Sequence, residues 1–117
     1  DFCRETGIDA LAPSFGTAHG IYKEKPMLDL ERVRIIAEKT GLPLVMHGGS
    51  GVSEDDFRRA IKAGIRKINY YTYMAKAAGA AVAEMQDKTF FHDIEVVAIR
   101  AMKENVKAAM KMFALMD

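Results

Sequence analysis

The chain has 117 residues, the size of one modest domain, and half of them are hydrophobic, a globular rather than disordered composition. A formal net charge of +1 leaves no electrostatic footprint for nucleic acid or an anionic membrane, and no apolar run approaches the ~18 residues of a membrane span. The single cysteine, Cys3, excludes an internal disulfide and fits a reducing compartment, so a cytoplasmic location is expected; the charged start Asp1-Phe2-Cys3-Arg4-Glu5 lacks the apolar core of a secretory signal.

The chain opens on Asp1 and soon enters a strand-like run, which reads as a chain entered partway, either a fragment or a processed product. Ile8-Asp9-Ala10-Leu11-Ala12-Pro13-Ser14 is predicted as a short strand, with Pro13 marking its end. Phe15-Gly16-Thr17-Ala18-His19-Gly20 follows as a polar turn with a histidine beside glycine, and Lys23-Glu24-Lys25-Pro26 reads as a solvated loop. Asp29 predicts the N-cap of a helix to Thr40, closed by Gly41, with Leu30, Val33, Ile36 and Ala37 facing inward.

Leu42-Pro43-Leu44-Val45-Met46 is the second predicted strand, and it runs into His47-Gly48-Gly49-Ser50-Gly51. Ser53 then caps a helix that ends at Gly64, with Asp56 in an approximate capping box and Phe57, Ala60 and Ile61 inward. Ile65-Arg66-Lys67-Ile68 is the third strand and leads to Asn69-Tyr70-Tyr71-Thr72. A helix follows, with Met74, Ala78, Ala81, Val82 and Met85 at helical spacing. Asp87-Lys88-Thr89 breaks it, and Asp93 is expected to cap a long last helix with Ile99, Met102, Val106, Met110 and Phe113 on one face. The methionines Met102, Met110, Met112 and Met116 read as core or subunit face.

Strands alternating with helices imply an α/β fold with a parallel sheet, read over residues 1–117 as one partial domain. Ligands in such folds bind beyond the carboxyl ends of the strands, where His19, the His47 turn and Asn69 to Thr72 all fall. Three strands do not close a barrel, and a whole (β/α)₈ barrel needs roughly 250 residues. The expected architecture is therefore the C-terminal part, about three βα units, of a TIM barrel.

Taken singly, each motif has a plain reading. A histidine at a strand end is commonly a hydrogen-bonded structural residue. Gly48-Gly49-Ser50-Gly51 is equally a tight turn or an anion cradle at a helix start. Thr72 reads as an N-cap, Asn69 as the close of a turn, and His92 as surface.

Together, Gly16-Thr17-Ala18-His19-Gly20 with the following Ile21-Tyr22-Lys23, His47-Gly48-Gly49-Ser50-Gly51, and Lys67-Ile68-Asn69 with Thr72 resemble the C-terminal part of the class II, zinc-dependent fructose-bisphosphate aldolases and the ketose- and tagatose-bisphosphate aldolases close to them. The resemblance implies Zn2+ as cofactor, with His19 and His47 as two of three histidine ligands and a monovalent cation near the phosphate as a further candidate. It implies substrate contacts from Gly20, Gly48, Gly49, Ser50, Asn69, Tyr70, Tyr71 and Thr72, the glycines, Ser50 and Thr72 toward phosphate. It implies a small-molecule sugar phosphate as ligand, a homo-oligomer when intact, and no nucleic-acid or membrane partner.

Tyr70-Tyr71 depart from the family pattern, where a small apolar residue is followed by Asn, Asp or Ala. The family's first zinc histidine and its general acid/base aspartate have no match here, because in the family both lie upstream. No catalytic acid/base residue is assigned, and the chain alone is expected to be inactive. The alternatives are a tagatose-bisphosphate aldolase and a non-catalytic phosphate-binding α/β module.

Overall fold

A computed structural model describes residues 1–20, 22–87 and 89–115. Ile21, Lys88 and Met116, each singled out by sequence, lie outside the described residues. The chain forms two compact units, Asp1–Tyr70 and Tyr71–Asp117.

The first unit begins with a helical turn, α1 (Phe2–Thr6), that the sequence pattern does not signal. It ends at Gly7 in the left-handed region. The first predicted strand is reduced to one parallel bridge, Leu11 to Leu44. Leu11 N–H donates to the Pro43 carbonyl (3.1 Å), and Val45 N–H donates to the Leu11 carbonyl (2.9 Å). Two residues later Pro13 has no N–H with which to extend a ladder.

Helix α2 (Leu30–Thr40) starts and stops where its end residues require. The Asp29 carboxylate accepts from Arg32 N–H (2.9 Å), and Gly41 closes the helix with its N–H on the Ala37 carbonyl (2.9 Å). Val33 is its fully buried residue. Strand β1 is Leu44–Met46, shorter than predicted: Leu42 and Pro43 precede it, and Pro43 joins the pairing only through its carbonyl.

Helix α3 (Glu54–Ala63) carries Phe57 and Ala60 into the core. Its cap differs from a full capping box. Ser53 Oγ accepts from Asp56 N–H (3.2 Å), while the Asp56 carboxylate accepts from the Ser53 hydroxyl (2.7 Å) rather than from the cap's backbone.

Strand β2 (Ile65–Ile68) pairs in parallel with β1. The register slips between Leu44 and Val45: Leu44 faces Ile65, but Val45 faces Lys67. Arg66 is the extra residue. The slip lets Ile65 and Ile68, three positions apart, both turn toward the core side while Arg66 and Lys67 stay exposed. Phe15, Val33, Leu44, Met46 and Ile65 are fully buried and form the centre of this unit.

Asp56 supplies a pH-dependent element. It is buried, and the Ser53 hydroxyl, with Lys25 (3.6 Å) and Arg59 (3.3 Å), holds its carboxyl below the usual carboxylate range. A depressed folded-state pKa contributes stability that is present above the unfolded value, about 3.9, and is lost as pH falls through the folded value. The melting temperature is therefore expected to fall below pH about 4, and less steeply in Asp56→Asn. Parallel acid limbs in the two proteins would remove Asp56 from this role.

The second unit is a helix pair, α4 (Thr72–Ala83) packed along α5 (Phe91–Phe113). Two expectations are corrected. Asp93 lies in the first turn of α5, not at its cap, which is Phe90. The packed face is also rotated from the predicted one. Ile99 and Met110 are 62% and 64% exposed, while Ala109 is buried and Ile94, Val97, Ala98, Ala101, Met102, Val106, Met112 and Phe113 are half-buried. Their spacing of three and one is the stripe of a packed helix; the predicted set mixed that stripe with its neighbour. Among the described residues, no helix is long and apolar enough to cross a membrane.

Candidate metal and phosphate site

Both histidines of the first unit sit just beyond strand-like backbone. His47 follows β1 directly, and His19 lies in the loop after the Leu11 bridge. Their rings are 5.5 Å apart, centre to centre, and tilted by 52°. With Ala12, Pro13, Ser14 and Thr17 they line an open cleft of about 170 Å³. Both side chains are exposed to solvent.

This spacing suits a shared ion. A tetrahedral zinc with Zn–N bonds of 2.0–2.1 Å places two imidazole centres about 5 Å apart. The separation of the pair is that of two donors to one ion. Among the described residues, no group of three histidine, cysteine, aspartate or glutamate side chains is gathered for a metal.

Asn69, at the end of β2, reaches across to His47. Its Nδ2 lies 2.7 Å from Nδ1 and 2.9 Å from Nε2 of the ring. Its Oδ1 accepts from the Lys67 ammonium. Lysine can only donate, so this contact fixes the amide with its oxygen toward Lys67 and its NH2 toward His47. Asn69 N–H donates to the Met46 carbonyl (2.9 Å), which holds the end of β2 beside His47.

The glycine turn packs closely. Gly48 is left-handed (φ 66°), and a Cβ there would fall 2.2 Å from the Ala18 carbonyl oxygen. The two histidine loops thus touch through backbone where only glycine fits. Gly49 lies against the Phe57 ring, and Gly49 and Ser50 are both buried. The first turn of α3 carries Glu54, Asp55 and Asp56, so carboxylates already complement this helix end. An anion here would rely on the N–H groups of the turn itself rather than on the helix dipole.

The structure thus brings His19, His47, Gly48 and Asn69 together, with Gly49 and Ser50 buried in the same turn. Gly20 is exposed in open space. Tyr70 closes the first unit and is half-buried. Tyr71 and Thr72 belong to the second unit, where Tyr71 is 68% exposed and occupies the cap of α4 with no side-chain cap bond. Thr72 is the first helical residue, so its reading as the N-cap is corrected. His92 is on the surface, stacked on Phe90 and paired with Asp93 (3.4 Å).

Sequence reasoning missed the part played by Tyr22. Its hydroxyl accepts from Ala18 N–H (2.6 Å) and donates to the Gly48 carbonyl (2.7 Å). The available signal was an aromatic residue alone in a polar loop beside His19.

Parallel βα units with a histidine pair beyond the strands define an α/β protein with a strand-end site. Comparison with known proteins gives the family. The sequence model of class-II fructose-bisphosphate aldolase matches residues 1–117, and the chain belongs to that family. It is 41% identical over 113 residues to the uncharacterized protein YdjI of Escherichia coli K12, covering 97% of this chain and 40% of that one. It is 40% identical over 117 residues to a fructose-bisphosphate aldolase of Staphylococcus aureus, covering 97% and 41%. Among solved structures, the YdjI aldolase superposes with a TM-score of 0.87 at 41% identity, over 96% of this chain and 42% of that one. A fructose-bisphosphate aldolase of Campylobacter jejuni superposes with a TM-score of 0.73 at 21% identity, over 92% and 40%, a likeness of fold alone. The chain thus spans about 40% of the length of the relatives it matches.

Proposed function

We propose that this chain is the metal-and-phosphate side of a zinc-dependent aldolase acting on a ketose 1,6-bisphosphate, fructose 1,6-bisphosphate giving dihydroxyacetone phosphate and glyceraldehyde 3-phosphate. The observation that carries the reading is the His19–His47 pair, 5.5 Å apart beyond parallel strands, in a chain of this family. The alternation of strands and helices, the β1–β2 pairing and the Leu11 bridge support the last three units of a TIM barrel. A cytoplasmic homo-oligomer, with no membrane or nucleic-acid partner, goes with that reading.

His19 and His47 would hold the metal, which when bound supplies Lewis-acid polarisation of a carbonyl oxygen. The N–H groups of the 48–50 turn and the Ser50 hydroxyl would hold the phosphate, with Gly20 and Thr72 as further phosphate contacts and a monovalent cation beside it. Asn69 would orient the ketone-bearing part, and Tyr70 and Tyr71 would shape the sugar side and bear on the choice between fructose and tagatose bisphosphates. No residue of this chain matches the family's proton-transfer aspartate or its first zinc histidine. The isolated 117-residue chain is therefore expected to show zinc binding without aldol cleavage.

Asn69 gives the metal reading a sharp test. The Asn69 NH2 lies 2.7 and 2.9 Å from the two ring nitrogens of His47, the atoms a metal would use. A metal on either nitrogen would compete with the amide for the space beside the ring, so zinc is expected to displace it. Asn69→Ala is thus expected to raise the zinc affinity of the chain between about twofold and tenfold, the worth of one such hydrogen bond. Calorimetric zinc titration, with the His19 and His47 ring signals followed by NMR, measures this. Ring signals that ignore zinc, with sugar phosphate bound equally well in chelator, would favour the non-catalytic phosphate module instead.

A further inference from the structure

The Tyr22 hydroxyl touches backbone beside both histidines. Ala18, whose N–H it accepts at 2.6 Å, directly precedes His19. Gly48, whose carbonyl it donates to at 2.7 Å, directly follows His47. A phenol has one proton to give and lone pairs to receive, and here both capacities are used at once. The ring itself lies on Gly51, where a Cβ would fall 2.6 Å from a ring carbon. Downstream on the same loop, Lys25 pairs with Asp56 (3.6 Å). The loop is therefore fastened over the glycine turn at two points, and Tyr22 is the point nearer the histidines.

From this geometry we infer that Tyr22 is a positioning residue: its hydroxyl clamps the two histidine loops and sets the separation of His19 and His47. The inference rests on the metal reading of that pair. It predicts that the hydroxyl, rather than the ring, tunes metal affinity. Removing the hydroxyl leaves the ring packed on Gly51 but frees the Ala18 amide and the Gly48 carbonyl to turn toward water. Loss of a hydrogen bond to a metal ligand costs about 10- to 100-fold in metal affinity at established sites, and this clamp acts on the backbone next to each ligand.

The test uses the 117-residue chain with Co2+ as the probe, read by its visible d–d absorption, alongside amide exchange at Ala18. Tyr22→Phe is expected to lower Co2+ affinity at least about tenfold and to alter the absorption envelope, with a small shift in melting temperature. The Ala18 amide of the unmodified chain is expected to exchange slowly. Wild-type Co2+ affinity and spectrum in Tyr22→Phe would overturn the proposal, even if that variant melts earlier, because Tyr22 would then be structural only. Unprotected exchange at Ala18 in the unmodified chain would overturn it without any variant. His47→Ala serves as the reference: if it binds Co2+ as the unmodified chain does, the metal reading falls and the clamp falls with it. If His47→Ala loses Co2+ while Tyr22→Phe does not, the clamp alone fails.

Discussion

Replacing His47 by alanine is expected to lower the zinc affinity of this chain by at least about 10²-fold, more than the loss of an outer-shell partner costs. With two imidazoles available, the loss of either leaves a single donor, and a single imidazole competes poorly with water for zinc. Stability should hardly change. His47 is exposed and its side-chain partner is Asn69, so the unfolding free energy should stay within the range of a surface substitution, about ±0.5 kcal/mol. Zinc calorimetry and thermal unfolding on the same preparation separate the two effects. Undiminished zinc binding in His47→Ala would place the metal elsewhere.

Gly48→Ala has the opposite profile, because it strikes fold and site together. The residue is left-handed, which costs an L side chain about 1–2 kcal/mol. Its new Cβ would also fall 2.2 Å from the Ala18 carbonyl oxygen and 2.5 Å from the Ala18 carbonyl carbon, both backbone atoms. Relieving that overlap means moving one histidine loop away from the other, at about 1–3 kcal/mol more. The variant is expected to lose about 2–5 kcal/mol of stability in denaturant unfolding and to bind zinc more weakly, since the His19–His47 spacing depends on the same contact. A stable Gly48→Ala with unchanged zinc affinity would mean that the loops do not meet as described.

These two substitutions also mark what the sequence could and could not disclose. The cap residues Asp29 and Ser53, the closing glycines and the run Ile65–Ile68 are local signals, and local physics set those elements. The histidine followed by glycines pointed to a strand-end site. What Gly48 does was not local: its lack of a side chain serves a contact with Ala18, thirty residues earlier in the chain, as much as any anion. The first strand shrank to a single bridge because pairing is decided by partners, and Pro13 offers no donor to extend the ladder. On α5 the apolar residues were numerous enough to draw two adjacent stripes, and packing against α4 chose between them. Tyr22 carried no periodic signal, since its meaning comes from two backbone groups on different loops.

The open side of β2 has a consequence of its own. Among the described residues, β1 is paired on both sides, by the Leu11 bridge and by β2, whereas β2 is paired on one side only. A strand with a free edge is a template for another chain, and such templates seed aggregation. Here that edge carries Arg66 and Lys67 side by side, both exposed, with the Arg66 guanidinium bound back onto the Ile61 and Ile65 carbonyls (2.7 and 3.0 Å). In the barrel proposed above, this side of β2 is a pairing site, and a further strand would close it.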